Sequence, residues 1–387
     1  MQRFVIVGAG LAGHTAALEL SQLTKGSVLL VGEEVHAPYD RPPLSKEFLA
    51  SNTDDVSVPL LGKPNIYEAR GISLKLKRKA VRIFRESCQI QLSDGERVPY
   101  DRLLLAVGSS PIDLPCSPDV QKRIHKFRTY EDARRLCGAL LPGKRLIVVG
   151  GGLIGLEVAA AARARNMEVT ILEATGRLAS RSVPAEISHW LYTLHTDRGI
   201  LIELNERVSD ISIASKRLVV STTTKCFEAD EVLVCVGIRP NVTLASNCGL
   251  LVHDGIVVDE KCRTSDHTIF AAGEATNYPV AHWKCSRRME CWKTAATQPV
   301  VAARAMVGVE AAYRDLPWFW SDQFGNNIQI IGLPDLAIET RVWPDVDTMN
   351  FGVTCVDADG FIVAAAGINS GGRISMLRKA IEGRQRI

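Results

Sequence analysis

Two stretches of the chain share one design. RFVIVGAGLAGHTAALEL, followed by SVLLVGEE, has a second version in RLIVVGGGLIGLEVAAAARARN, followed by EVTILEA. Each predicts an apolar strand, a glycine turn, an amphipathic or alanine-rich helix, and a second apolar strand running into an acid. Units of this kind lay their strands side by side in parallel and cover them with the helix. The two copies lie 142 positions apart, counted from Gly8 to Gly150, and together predict an α/β protein with an internal repeat.

The turns say what the repeat is for. Gly8, Gly10 and Gly13 fill a G-x-G-x-x-G pattern, with Leu11 and Ala12 between them, and Gly150, Gly152 and Gly155 repeat it around Leu153 and Ile154. The first glycine permits a tight turn, the second lets a pyrophosphate approach the backbone, and the third lets helix and strand pack closely. The helix N-terminus then offers unpaired N–H groups to the phosphates. Glu33 stands 25 residues after Gly8 and Glu173 stands 23 after Gly150, each expected to close its strand and accept hydrogen bonds from an adenosine ribose. Two Rossmann-like βαβ domains for two different dinucleotides suggest a nicotinamide delivering hydride to a flavin. Glu173 favours NADH over NADPH, because a carboxylate binds a 2′-hydroxyl and repels a 2′-phosphate. Arg177 and Arg181 follow closely enough to soften that preference.

Shorter alternating stretches, CQIQLSDGERVPYDRLLLAVG and RLVVSTTTKCFEADEVLVCVG, predict β-meanders. From Pro317 the texture changes to PWFWSDQFGNNIQIIG and NFGVTCVDADGFIVAAAG, with DADG as a hairpin turn and a terminal helix near Met376 to Glu382. The expected division is residues 1–113 with 241–316 as an FAD-binding domain, 114–240 as an NAD(H)-binding domain, and 317–387 as a C-terminal α+β domain.

Composition excludes several classes. The net charge of +3 is too small to argue for nucleic acid, and no run reaches the 18 or so apolar residues that span a bilayer. Met1 leads almost directly into a strand without a leader, so a cytoplasmic location is expected. No H-E-x-x-H or clustered His/Cys set predicts a metal. The ten cysteines form no C-x-x-C or C-x4-C pair, and the first is Cys88, so reduced structural thiols are expected.

The stretch PYDRPPLSKEFL, Pro38 to Leu49, is stiff and charged where an ordinary loop would do. With VIVGAGLAG, LLLAVGSSP, FRTYEDA, LIVVGGGLIGLEVA, VLVCVGIRPN, IFAAGEA, RRMECWKTAATQ and PWFWSDQ, it resembles the flavin-dependent ferredoxin reductases of bacterial ring-hydroxylating dioxygenase and cytochrome P450 systems. The likeness runs from residue 1 to about 375. It implies a glutathione-reductase-like fold with FAD and NADH as cofactors. In that family the PPLSK stretch lies against the flavin, so Arg41 and Pro42 are expected to contact FAD. Lys46 is expected near the flavin N5, paired with Glu157.

The same resemblance assigns Ala80 to the adenine, Arg128 to FAD, and Ala106 and Gly108 to the strand exit. Gly273 and Glu274 stand where the family has glycine and an aspartate bound to the ribityl chain; the longer Glu274 keeps the acceptor but alters its reach. Trp292 is expected at the flavin pyrimidine edge, with Gly237 and Arg181 on the nicotinamide nucleotide. Trp318 and Trp320 share one face of a strand, and Trp320 is expected to be the flavin-proximal ring that also meets the partner.

The implied activity takes hydride from NADH onto FAD and passes single electrons to a [2Fe–2S] ferredoxin, plant-type or Rieske-type, that feeds a terminal oxygenase. Basic stretches such as LKLKRKAVRIFR and WKCSRRMECWK are candidates for steering an acidic partner. An NADH oxidase or disulfide reductase stays open as an alternative, disfavoured by the cysteine positions, as does a flavin redox-sensing interaction protein. Relatives of this type continue past the terminal helix, so a lean or truncated C-terminus is expected.

Overall fold

A computed structural model describes residues 1–51, 57–63, 65–343 and 350–386. The chain forms two units, each assembled from separated segments. The first comprises Met1–Asp40, Val58–Ser110 and Arg239–Pro317; the second comprises Arg41–Ser57, Pro111–Ile238 and Trp318–Ile387. The break at Arg41 divides the proline-rich stretch and assigns Arg41 to Leu49 to the second unit.

In the first unit the strand Arg3–Val7 is central in a five-stranded parallel sheet. Ser27–Val31 and Ile72–Lys75 lie on one side, Arg102–Leu105 and Ile269–Ala271 on the other. Val5 faces both Leu29 and Leu103 across the ladder. A parallel sheet buried on both faces needs strands apolar throughout, and FVIV, VLLV and LLL meet that need. The helix Leu11–Leu23 packs on it and against the helix Trp292–Met306, enclosing Ile6, Ala16, Leu20, Leu30 and Leu104. The first predicted meander, Cys88 to Gly108, supplies Gln89–Leu92 and Arg97–Pro99, which join Ala80–Phe84 in an antiparallel sheet, while its last strand, Arg102–Leu105, enters the parallel sheet instead.

The second unit repeats the plan with a four-stranded parallel sheet, ordered Leu201–Leu204, Glu168–Glu173, Arg145–Val149, Glu231–Val234. Its helix Leu153–Ala164 buries a nearly continuous run from Gly155 to Ala162. Alanine methyls let two layers approach that helix, the strand Glu168–Glu173 and the strand Trp318–Gln323 of the C-terminal sheet. That sheet is antiparallel, ordered Trp318–Gln323, Asn326–Gly332, Ile362–Ile368, Gly352–Val356, Glu339–Val342. DADG does turn the hairpin, with the Gly360 N–H donating to the Asp357 carbonyl at 3.1 Å. The terminal helix begins at Gly371, five residues before the expected Met376, because its glycine pair masks the start. The strand Glu339–Val342 was not anticipated, as none of its residues is buried and it carries no alternation to read. Among the described residues no helix is long and apolar enough to cross a membrane.

The third glycine of each turn fixes helix to strand. A Cβ at Gly13 would lie 1.8 Å from the Gly8 carbonyl oxygen, and one at Gly155 would lie 2.3 Å from that of Gly150. These neighbours are backbone and cannot rotate away. Gly13→Val is therefore expected to lower the unfolding free energy by about 2 kcal/mol or more. A urea midpoint equal to that of the native protein would contradict this.

Candidate active site

Each glycine turn is a backbone cradle. Gly8 has φ +110° and Gly150 φ +106°, and a Cβ at either would strike a carbonyl oxygen, of Ala106 at 2.1 Å or Cys235 at 2.4 Å. Gly10 and Gly152 are the N-caps of the two helices, in extended backbone, and neither helix start has a side-chain cap or an acid in its first turn. A Cβ at either cap would meet nothing within 4 Å. The helix N–H groups at Leu11, Ala12, Leu153 and Ile154 thus face space that accepts an anion.

Surrounding groups in the first unit follow that cradle. Gly273, at φ +88°, would bring a Cβ within 3.1 Å of the Ala12 methyl. Its N–H donates to Gln298 Oε1 at 2.7 Å. Gln298 is fully buried, and its Nε2 has no hydrogen-bond partner among the described residues, a donor suited to a bound polar group. Glu274 follows at a half-buried position. Ala106 and Ala80 are buried, and Gly108 turns at φ +60°. Glu33 lies two residues beyond the strand end at Val31 rather than closing it, exposed, with one carboxylate oxygen 3.0 Å from Lys79 Nζ. Trp292 opens the helix Trp292–Met306 and donates its indole N–H to Asp40 at 3.0 Å.

In the second unit Glu173 does close its strand, and its carboxylate is held at both ends. Oε2 accepts from Gly151 N–H at 2.7 Å, while Oε1 accepts from the Thr175 N–H and hydroxyl, both at 2.8 Å. Arg177, expected to soften the nucleotide preference, is committed elsewhere. Its guanidinium donates to the carbonyls of Val183 and Ser180, each at 2.8 Å. Arg181 places a guanidinium nitrogen 3.2 Å from where a Gly237 Cβ would stand. Gly237 itself has φ +114°.

The proline stretch explains its own stiffness. Arg41 caps a 3-10 turn, Pro42–Ser45, and Lys46 forms the joint to the short helix Glu47–Ala50. Prolines fix φ at the first turn positions and surrender no needed donor. Lys46 Nζ curls back to 3.3 Å from the Pro42 carbonyl and reaches Glu157 Oε2 at 3.0 Å. The side chains of Lys46 and Glu157 are 12 % and 2 % exposed, so the pair is almost wholly out of water. Such a pair needs every remaining lone pair satisfied. The Ser45 hydroxyl also donates to Oε2, and the Ser321 hydroxyl donates to Oε1 at 2.6 Å.

The sequence reading paired Lys46 with Glu157 by resemblance, and the structure brings the two together. It missed both serines, and also Gln323 and His195, which continue the row behind Ser321. Ser45 and Ser321 are neighbours in sequence of Lys46 and Trp320, which is the one signal available. Arg128 lies just before the helix Tyr130–Ala139, its N–H accepted at 3.1 Å by Asp132, whose side chain also completes a capping box with Thr129. Trp318 and Trp320 stack on one strand face as expected, with centroids 5.1 Å apart.

All ten cysteines are free, and burial pushes the Cys235 and Cys355 thiols up to about 12 and the Cys262 thiol higher still. The basic stretches are largely answered within their own unit. Lys75 pairs with Glu96, Arg78 with Asp94, Lys79 with Glu33, Arg85 with Asp266, and Arg288 with Asp254 and Glu290. Among the described residues no group of three or more His, Cys, Asp or Glu side chains could hold a metal.

Comparison with known proteins agrees with this geometry. The family model described as pyridine nucleotide-disulphide oxidoreductase matches residues 2–298, and one described as reductase C-terminal matches residues 318–387. The ferredoxin–NAD(+) reductase component of the anthranilate 1,2-dioxygenase system of Burkholderia cepacia is 39% identical, over 98% of this chain and 93% of its own. The chain belongs to the pyridine nucleotide-disulphide oxidoreductase family. Rhodocoxin reductase of Rhodococcus erythropolis is 37% identical over 91% of this chain and 83% of its own. The structure of a covalent putidaredoxin reductase–putidaredoxin complex superimposes with a TM-score of 0.95 at 32% identity, covering 100% of this chain and 94% of that one. A water-forming NADH oxidase from Lactobacillus brevis shares the fold, with a TM-score of 0.91 at 19% identity over 100% of this chain and 92% of that one. Members of the family are oxidoreductases that use FAD and NAD(H), and the two cradles fit those dinucleotides.

Burial lowers the pKa of His195 to about 4. The ordinary value is about 6.5, so between the two the unfolded chain holds a proton that the folded chain lacks. Stability is thus expected to rise with pH across that window, by about 3 kcal/mol at full extent. Urea unfolding at pH 4 and pH 7 should show this dependence in the native protein and a flatter one in His195→Asn. Equal pH dependence in the two would count against it.

Proposed function

We propose that the protein is an NADH-dependent ferredoxin reductase, which accepts hydride from NADH at a bound FAD and returns electrons one at a time to a [2Fe–2S] ferredoxin. The observation that carries this reading is the buried Lys46–Glu157 pair, built beside a dinucleotide turn in a chain whose cysteines form no C-x-x-C or C-x4-C pair. FAD supplies the conversion of a two-electron donor into a one-electron one when it is bound. The residues' task is to bind, orient and hold charge.

In residues 1–113 and 241–316, the FAD-binding part, Gly8, Gly10, Leu11, Ala12 and Gly13 receive its pyrophosphate on backbone N–H groups. Glu33 takes the ribose and Ala80 the adenine. Ala106, Gly108, Gly273, Glu274 and Trp292 complete that set. Arg41, Pro42, Lys46, Arg128 and Trp320 are the groups from other segments assigned to the flavin. In residues 114–240, Gly150, Gly152, Leu153, Ile154 and Gly155 receive the NADH pyrophosphate, with Arg181 and Gly237 along the nucleotide. Glu173 is already aimed by three donors, so its ionised oxygens meet a ribose diol and oppose a 2′-phosphate, while Arg177 is tied to carbonyls.

Lys46 keeps a fixed cation because Pro42 and Glu157 hold it, and a fixed cation favours accumulation of negative charge nearby. Residues 317–387, with Trp318 and Trp320, are assigned to the ferredoxin face. The acceptor serves a terminal oxygenase, in line with the dioxygenase-system and rhodocoxin reductases among the relatives. The oxidase reading finds no support in the thiols, whose resolved shifts all raise the pKa.

Stopped-flow mixing with NADH tests the central assignment. Glu157→Ala should retain FAD and slow bleaching of the flavin band by at least tenfold; an unchanged rate would remove Glu157 from the mechanism. Glu173→Gln should cut the NADH-over-NADPH ratio of kcat/KM by about tenfold, the weight of one charge interaction of ~1.4 kcal/mol. Assay with plant-type and Rieske-type ferredoxins side by side identifies the partner class, and failure to reduce either would refute the ferredoxin assignment.

A further inference from the structure

Behind the acid–lysine pair runs a row of buried neutral groups. The Ser321 hydroxyl donates to Glu157 Oε1 at 2.6 Å, Gln323 Nε2 donates to Ser321 Oγ at 2.8 Å, and Gln323 Oε1 lies 2.7 Å from His195 Nε2. Ser321 and His195 are fully buried and Gln323 is 1 % exposed. The two strand residues share a face by their i, i+2 spacing, on an edge strand of the C-terminal sheet. His195 comes from the last turn of the helix Ala185–Asp197, against the ring of Phe324.

The protons of this row have one consistent order. Ser321 has a single proton and gives it to Glu157, so it must accept from Gln323. The amide nitrogen of Gln323 then faces Ser321 and its carbonyl faces His195, which must carry its proton on Nε2. His195 is uncharged at neutral pH because burial lowers its pKa, which leaves Nδ1 as the bare nitrogen. Every donor in the row points toward Glu157. Were Glu157 to hold a proton on Oε1 and Ser321 to turn its own toward Gln323, each bond would reverse, and the histidine proton would end on Nδ1.

Ser45 on Oε2 and Ser321 on Oε1 grip the carboxylate from opposite ends. A glutamate has three side-chain torsions to fix, and the two hydroxyls add to the pull of the ammonium in holding it to one orientation. We propose that Ser321, Gln323 and His195 are positioning residues that hold Glu157 as a carboxylate directed at Lys46, with the His195 tautomer recording that state. This rests on the reading of Lys46 and Glu157 as the pair that serves the flavin.

The test uses the FAD-loaded enzyme and a double-mutant cycle. Ser321→Ala should slow flavin reduction by NADH about tenfold and shift the flavin midpoint potential. In the Glu157→Gln background the same substitution should change the rate less than twofold and leave the potential where it was. Ser321→Thr, which returns a hydroxyl, should recover most of the loss. Equal effects in both backgrounds, or none in the native one, overturn the proposal. Nitrogen-15 spectra of ring-labelled histidine in the unsubstituted enzyme should show His195 neutral and protonated on Nε2; a charged ring or the Nδ1–H form also overturns it. Glu157→Gln alone separates the two readings. If that change leaves the rate untouched, the assignment of the pair fails, whatever the histidine spectra report on the row.

Discussion

Glu157 is a carboxylate nearly sealed from water on an alanine-rich helix. Its charge costs several kcal/mol to bury, and the fold around it supplies the compensation. The ammonium comes from a proline-stiffened turn, one hydroxyl from the same turn, and another from the first strand of the C-terminal sheet. Three segments far apart in the chain thereby have to find one another before the acid is satisfied. Small side chains on the Leu153–Ala164 helix are what allow both the turn and the strand so close. The architecture of the second unit can be understood as the arrangement that makes this one acid tolerable.

The two glycine turns solve a different problem with the same means. In each, a positive-φ glycine lies against a carbonyl of the neighbouring strand, and a cap residue without a side chain leaves the helix start open. The repetition is geometric as well as textual, down to the carbonyl each first glycine would strike. What differs is the acid that follows. Glu33 stands in solvent with a lysine, whereas Glu173 is drawn in and held by its own turn.

The repeat was legible because glycine spacing is dictated by backbone clearance, which leaves little freedom of residue choice. The same holds for PPLS, where two prolines announce a fixed turn. The pairing of Lys46 with Glu157 came from resemblance alone, since 111 residues separate them and nothing local marks a buried acid in an alanine helix. Ser321, Gln323 and His195 were illegible for a stronger reason. Serine, glutamine and histidine serve so many surface roles that only the register of a strand against a distant helix reveals a row. The ion pairs of the basic stretches were equally illegible, because the acids that answer them are scattered from Glu33 to Asp315.

The double grip on Glu173 carries an evolutionary consequence. The carboxylate proposed to select the nucleotide also ties the Gly151 amide to Thr175, so it braces the glycine turn from below. A lineage drifting toward the phosphorylated coenzyme would loosen that brace as soon as it discarded the acid. It would also have to release Arg177 from the carbonyls that now occupy it. In the proposed reading, coenzyme choice is thereby tied to the folding of this turn, and discarding the acid removes the brace together with the recognition.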